Sequence, residues 1–214
     1  KLVLLEINEP SLYQIQRELK NKFPEKNIFY ILGSASSKKL LSNIIKTYKL
    51  DLIFHAAAYK HVPLVEENPI IGLENNIFST LNICEVTHNL KVEKVVLISS
   101  DKAVRPTNLM GVSKRISELI FQAYSINKKN NTCFSMVRFG NVLGSSGSVV
   151  PLFREQIYKG GPVTITDKNM VRYFMTIEEA SYLVIQASAL AKDGEILLLD
   201  MGEPIFIKTL AEKM

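Results

Sequence analysis

Through the first two thirds of the chain, short apolar runs alternate with stretches whose apolar residues recur every three or four positions. The runs near 2–6, 28–32, 51–56, 94–100 and 133–139 predict strands, and the stretches near 10–20, 38–48, 63–89 and 109–126 predict amphipathic helices. Such an alternation predicts an α/β fold, a parallel sheet with helices on both faces. The run Lys94-Val95-Val96-Leu97-Ile98 is apolar almost throughout, as a strand covered on both faces requires. In the helix over 109–126, Leu109, Val112, Ile116, Leu119, Ile120 and Ala123 fall at core spacing, while Met110 and Lys114, four apart, share one face.

After Gly140 the rhythm changes. A Gly/Ser loop, Gly144–Ser148, leads to a helix near 150–159, short strands near 162–166 and 171–175, a helix at 177–191, a strand at 195–200 and a last helix starting at Phe206. This part is expected to form a smaller substrate lobe, which divides the chain into 1–140 and 141–214. The beginning is equally informative. A dinucleotide-binding unit opens with a strand, a Gly-x-Gly-x-x-Gly turn and a helix whose N-terminus holds the pyrophosphate. Lys1-Leu-Val-Leu-Leu-Glu6 reads instead as the second strand of such a unit, ending in an acid. The expectation is a Rossmann-like, doubly wound parallel sheet lacking its first strand and glycine turn, which would lie upstream of Lys1. The competing reading is a divergent domain that holds no cofactor.

At 214 residues and 47% apolar, the chain suits one ordinary domain with a buried sheet. A net charge of +5 and a pI near 9.1 suit an anionic ligand. The lysines, however, are spread over Lys20–Lys26, Lys38–Lys49 and Lys128–Lys129 rather than set in a stripe with aromatics, which argues against nucleic acid. Cys84 and Cys133, far apart in apolar surroundings, read as reduced thiols of a cytosolic protein. There is no signal peptide and no apolar run of about 18–20 residues. His55 and His61 lack metal-ligand spacing and read as hydrogen-bonded structural histidines, so no metal is expected.

Chemistry enters where the strand over 94–100 ends. Ser99-Ser100-Asp101-Lys102 bring hydroxyls, an acid and an amine to the carboxyl edge of the sheet, where open α/β sheets bind ligands. Met110-Gly-Val-Ser-Lys114 follows at the start of the next helix. This pattern resembles the extended short-chain dehydrogenase/reductases, whose strand-end Ser/Thr and helical Tyr-x-x-x-Lys act on a sugar hydroxyl beside a nicotinamide. Met110 stands at the tyrosine position, and a thioether neither takes nor gives a proton. Together with His55-Ala-Ala-Ala-Tyr-Lys-His-Val-Pro63, Arg138-Phe-Gly-Asn-Val-Leu-Gly144 and Arg172-Tyr-Phe-Met-Thr176, the chain is similar over nearly its whole length to the membrane-anchored, CapD-like polysaccharide-biosynthesis branch of the UDP-N-acetylhexosamine 4,6-dehydratases.

The resemblance implies NAD rather than NADP as cofactor, UDP-N-acetylglucosamine as substrate and a homo-oligomer. It also implies a cytoplasmic domain tethered to the inner membrane through segments absent from this chain. Glu6 would accept both adenosine ribose hydroxyls and repel a 2′-phosphate, or it is a solvated strand-end carboxylate. Ser34 stands where the family commonly has an aspartate for the adenine edge. Ala56, Ala57 and Ala58 would let the cofactor lie against the backbone, with Ser99 and Lys60 nearby. Lys114 would bind the nicotinamide ribose, and Asn76 would brace the active-site strands. Lys60 either reaches substrate or pairs with Glu66 or Glu67. Asn141, Ser148 and the Gly/Ser loop would hold the UDP diphosphate, with Arg154 and Arg172 either as phosphate partners or in surface ion pairs.

The implied reaction is an internal redox elimination. Oxidation at sugar C4 acidifies the C5 proton; Lys102 removes it, Asp101 protonates the departing C6 hydroxyl, and C6 is then reduced. A lysine with an ordinary pKa of about 10.4 is charged at neutrality, and lowering it by about three units costs on the order of 4 kcal/mol. Partial burial and the charges of Lys114 and oxidised nicotinamide are the sources of such a shift; otherwise Lys102 only orients Asp101. With Met110 in place of tyrosine, deprotonation of the C4 hydroxyl falls to Ser100, Asp101 or a water. Two alternatives stand beside this reading: a C5-epimerising dehydratase using the same pair, and a catalytically silent nucleotide-binding module.

Overall fold

A computed structural model of the chain describes residues 1–126, 131–145 and 147–214, so Lys128, Lys129 and Ser146 lie outside the described residues. Strand β1 (Leu2–Glu6) is followed by helix α1 (Glu9–Lys22), which Asn8 caps through its Oδ1 at 2.9 Å from Ser11 N. Strand β2 (Ile28–Leu32) returns parallel to β1, with Leu2 opposite Ile28. Helix α2 (Lys38–Tyr48) leads to β3 (Leu52–His55), after which α3 (Val62–Glu67), α4 (Pro69–Leu73), a π-helical turn (Glu74–Phe78) and α5 (Ser79–Leu90) precede β4 (Lys94–Ile98). A 3-10 turn (Asp101–Ala103) and α6 (Leu109–Ile126) precede β5 (Cys133–Arg138). The remainder is β6 (Asn141–Val142), α7 (Val149–Tyr158), β7 (Val171–Arg172), β8 (Phe174–Met175), α8 (Ile177–Leu190), β9 (Ile196–Leu198), β10 (Ile205–Phe206) and α9 (Ile207–Glu212).

Strands β3-β4-β5-β9 form an all-parallel sheet in that order. Its two faces are covered by helices, as the alternation predicts. Val95 and Leu97 of β4 and Phe134 and Met136 of β5 pack with Leu41, Ile45, Ile83, Cys84 and Phe121 on one side. Val96 and Val137 pack with Ala180, Val184 and Ala187 of α8 on the other. Each large apolar side chain buried in this way contributes roughly 1.5–3 kcal/mol.

Four expectations are corrected. The single helix over 63–89 is broken, because Pro69 cannot donate a backbone hydrogen bond, and the chain then widens into the π turn around Asn76. In α6 the expected core stripe is only partly buried: Leu119 is 48% exposed and Ala123 is exposed, Leu109, Val112 and Ile116 are half-buried and Ile120 packs against the core, whereas Met110, Ser113, Lys114, Ser117, Glu118 and Phe121 are buried. Its inner face combines the hydrogen-bonding Ser113, Lys114, Ser117 and Glu118 with the apolar Met110 and Phe121. Finally, 162–166 forms no strand, since the Gln156 side chain takes Thr164 N–H at 3.0 Å and donates to Thr164 Oγ1 at 2.7 Å, occupying groups a ladder would use. The run 171–175 splits likewise, β7 pairing antiparallel with β10 and β8 parallel with β6.

Among the described residues, strand β1 is hydrogen-bonded only to β2, and β3 only to β4. A cleft of about 1040 Å³ is lined by residues 1–6 on one side and by Leu50–Ala57 on the other. No helix among the described residues is long and apolar enough to cross a membrane.

Candidate active site

Parallel pairing puts the carboxyl ends of β3, β4 and β5 on one edge, so the segments after His55, Ile98 and Arg138 are neighbours. Backbone bonds carry the β4–β5 pairing beyond the strands, from Ser99 N to Val137 O (2.8 Å) and from Asp101 N to Phe139 O (3.0 Å). Ser100 Oγ then caps the 3-10 turn, accepting from Lys102 N at 3.2 Å and donating to Asp101 Oδ1 at 2.9 Å. Lys102 Nζ donates to the same Asp101 oxygen at 3.0 Å, the two side chains being 34% and 42% exposed. Acid and amine therefore meet in a half-exposed ion pair.

Helix α6 presses directly on this turn. A Cβ on Gly111 would stand 2.4 Å from the Lys102 carbonyl oxygen, so only glycine permits the approach. One turn on, Lys114 is 8% exposed and its Nζ donates to Ile98 O at 2.9 Å. Burial lowers its pKa to about 8, with Glu118 acting in the opposite direction. Met110 is 4% exposed and packs in the interior.

Behind Lys114 lies a chain of buried polar groups. His55 Nε2 is 3.0 Å from Thr80 Oγ1; burial first, and the Lys114 charge second, push the His55 pKa down to about 3, so the ring is neutral. Thr80 Oγ1 lies 3.1 Å from Ser117 Oγ and 2.7 Å from Asn76 O. Asn76 joins the loop after β3 to α6: its Nδ2 donates to Tyr59 O (3.0 Å) and Ser113 Oγ (2.9 Å), and its Oδ1 accepts from Tyr59 N (2.7 Å).

Sequence reasoning missed Glu118. Its carboxylate is fully buried and accepts from Ser99 Oγ (2.6 Å), Arg138 Nε (2.7 Å), Arg138 Nη2 (2.5 Å) and Arg115 Nη1 (3.0 Å). Burial alone would raise its pKa, but the bonds from Arg138, Ser99 and Arg115 hold it below the ordinary carboxylate value. The signal was its place four residues after Lys114, on the same helix face.

The other expected residues are placed as follows. Glu6, Ala56 and Ala57 line the cleft between β1 and β3, Glu6 Oε1 accepting from Asn8 N at 2.7 Å. Ala58 is half-buried beside them in sequence, and Ser34 Oγ accepts from Ser36 N at 3.1 Å within its own turn. Lys60 is exposed, with its pKa lowered by desolvation, and among the described residues it makes no ion pair with Glu66 or Glu67; Glu66 instead accepts from Leu109 N at the start of α6. Asn141 Oδ1 and Ser148 Oγ are buried and, among the described residues, have no hydrogen-bond partner. Arg154 is exposed and lines a second cleft of about 690 Å³ with Leu143 and Gly144, and Arg172 donates to Val171 O at 2.9 Å. Among the described residues no ion pair joins either arginine to the Asp101–Lys102 turn.

A family model described as polysaccharide biosynthesis protein matches residues 1–214. The capsular polysaccharide biosynthesis protein CapD of Staphylococcus aureus is 48% identical over 216 residues, covering 100% of this chain and 36% of the relative. A UDP-N-acetylglucosamine 4,6-dehydratase (inverting) of Campylobacter jejuni is 35% identical over 205 residues, covering 92% of this chain and 61% of the relative. Among solved structures, Pen from Bacillus thuringiensis superposes with a TM-score of 0.91 at 36% identity, over 98% of this chain and 65% of its own. The chain thus spans about a third of the length of CapD. With a match along its full length, on a parallel sheet whose strand ends carry Ser100, Asp101 and Lys102 beside Lys114, this chain belongs to the polysaccharide biosynthesis protein family.

Proposed function

We propose that the chain carries the catalytic site of an NAD-dependent 4,6-dehydratase that converts UDP-N-acetylglucosamine to a UDP-4-keto-6-deoxy-N-acetylhexosamine. The observation that carries this reading is the Asp101–Lys102 ion pair at the end of β4, within one helical start of the buried Lys114. Elimination needs one group that takes a proton from C5 and another that gives one to the C6 oxygen. In the resting pair Lys102 is an ammonium and Asp101 a carboxylate. Moving one proton across the 3.0 Å bond makes both neutral, leaving an amine that accepts the C5 proton and an acid that protonates the departing hydroxyl. A sugar covering this half-exposed pair removes water from it, which favours the neutral form. After elimination Lys102 is again an ammonium and Asp101 a carboxylate, so the pair returns to its resting state without an outside proton. Ser100, at the half-exposed turn, would pass the C4 hydroxyl proton that Met110 cannot take to solvent water; when C6 is reduced the Lys102 ammonium returns a proton to C5 and regains one from solvent, so the cycle closes with no net gain or loss of protons.

Bound NAD would supply the reversible oxidation at C4 and reduction at C6. The residues present fit its two riboses. Lys114 Nζ is held at Ile98 O with two N–H groups left for hydroxyls, and Asn76 fixes the neighbouring loop. Glu6 keeps one carboxylate oxygen beyond its bond to Asn8, and a negative charge there disfavours NADP. Ala56 and Ala57 line the cleft with small side chains, with the half-buried Ala58 following in sequence, while Ser99 is engaged with Glu118 and Lys60 is exposed on the same loop. For the substrate, the unpartnered Asn141 Oδ1 and Ser148 Oγ support a polar ligand beside β6 and α7, with Arg154 and Arg172 as phosphate partners. We place the reaction at the cytoplasmic face of the membrane, through parts of the protein beyond this chain. The C. jejuni relative is described as inverting, which favours a second reading in which C5 is reprotonated on the opposite face.

The test is to incubate the complete protein with NAD and UDP-N-acetylglucosamine and follow the sugar by mass spectrometry and proton NMR. Loss of one water with a new C6 methyl signal is expected, and the C5 configuration decides between the two stereochemical readings. An unchanged sugar, or a C4 epimer of unchanged mass, contradicts the proposal.

A further inference from the structure

Glu118 touches none of the reacting groups, yet it joins every element that carries them. Its four hydrogen bonds reach Ser99, the residue before Ser100-Asp101-Lys102; Arg138, the last residue of β5 before the Phe139–Asn141 segment; and Arg115 on its own helix. One turn earlier on α6, Lys114 grips the carbonyl of Ile98, the neighbour of Ser99. The helix therefore holds the end of β4 at two consecutive residues from two consecutive turns. The backbone bonds Ser99 N to Val137 O and Asp101 N to Phe139 O run between the same segments.

Stability alone does not account for such a group. A buried ion pair roughly breaks even against well-packed apolar side chains of similar volume, because desolvation offsets the attraction. A carboxylate gives instead a fixed geometry: the two-pronged bond to the Arg138 guanidinium sets distance and angle together, and the short bond from Ser99 transmits both to β4. We propose that Glu118 is a positioning residue that sets the Asp101–Lys102 turn against the Phe139–Asn141 segment, so that acid and base address one sugar. This rests on the dehydratase reading above.

Glu118 also bears on Lys114, whose charge it favours. Glu118 on α6 is the charge acting on Lys114, and the neutral His55 ring at the end of β3 lies within reach of it; Arg115 and Arg138 are bonded to Glu118, and Asp101 and Lys102 occupy the turn beyond Ile98. Without the Glu118 charge, the Lys114 pKa falls below its present value of about 8.

The experiment compares the wild-type complete protein with Glu118→Gln, Glu118→Asp and Ser99→Ala. A positioning role predicts that Glu118→Gln lowers kcat at least tenfold with KM for the UDP-sugar within about threefold. It also predicts an equal fall in C5 deuterium exchange of added 4-keto product in D2O, and a pH profile of NAD binding whose alkaline limb moves to lower pH. Glu118→Asp, which keeps the charge, recovers at least half of the loss. Ser99→Ala, which cuts only the link to β4, lowers kcat severalfold in a folded protein and serves as the deciding variant if the Glu118 variants do not fold. Wild-type kcat in folded Glu118→Gln, or in Ser99→Ala when the Glu118 variants do not fold, overturns the role of Glu118. So does a loss that merely follows the fraction of folded protein. A wild-type protein that forms no keto product overturns the dehydratase reading and this role with it, which keeps the two failures distinct.

Discussion

Met110 sits where a proton-transferring phenol is expected, and its side chain is buried at 4% exposure, packing as part of the interior. Met110→Leu conserves volume, so kcat should stay within about threefold and stability within about 1.5 kcal/mol; a loss of several orders of magnitude in a folded variant would contradict a packing role. His55 makes a second prediction. Its pKa lies at about 3 in the folded chain, against 6.5 for the free side chain, so the unfolded chain binds more protons between those values. Its contribution is therefore complete above pH 6.5 and is lost as pH falls toward 3, on the order of 5 kcal/mol in all. Urea unfolding across that range should show the slope, and His55→Asn should flatten it; parallel curves for variant and wild type would refute the assignment. At this scale the sequence revealed Asp101 and Lys102, because two adjacent ionisable groups follow a buried strand directly. Glu118 was hidden, since a helical glutamate reads as solvated until Arg138, twenty positions away, is brought onto it by the β4–β5 pairing.

Among the elements, strands were legible wherever the apolar run was continuous, as in β4, and boundaries there differ by only a residue or two from those expected. Helices were legible in extent except over 63–89, where Pro69 and the π turn break the run, and the orientation of α6 was legible only in part. The aliphatic stripe of α6 looks like a core face, yet the interior between α5 and α6 is filled by Asn76, Thr80, Ser113 and Ser117, whose polar groups satisfy one another. Periodicity cannot show this, because it counts apolar residues and not hydrogen-bond partners. Asn76 is the hub of that layer. Asn76→Ala strands the Tyr59 backbone N–H and carbonyl and removes one of the bonds of Ser113 Oγ, which keeps its bond to Met110 O, and should cost about 2–4 kcal/mol in chemical denaturation. A variant as stable as wild type would show that the π turn relaxes to restore those bonds.

For the whole molecule, the sheet is continuous from β3 to β9, but β1 and β3 present unpaired edges to the 1040 Å³ cleft between them. The α/β class and its helix-covered sheet were readable from alternation alone, whereas the pairing of β7, β8 and β10 into separate two-stranded ladders was not, because two-residue strands carry no period. If the cleft must be filled to complete a pyrophosphate site, residues 1–214 alone should bind NAD at least tenfold more weakly than the complete protein in calorimetric titration. Equal affinity would show that the chain needs no further strand. The central claim, that Lys102 and Asp101 form the acid–base pair of a sugar dehydration, is tested most directly by running the reaction of the complete protein in D2O and locating deuterium in the product by NMR. Wild-type protein should yield a 4-keto-6-deoxy sugar with one deuterium at C5, and Lys102→Ala should yield neither product nor exchange; normal turnover by Lys102→Ala, or a product whose C5 hydrogen never left, would contradict it.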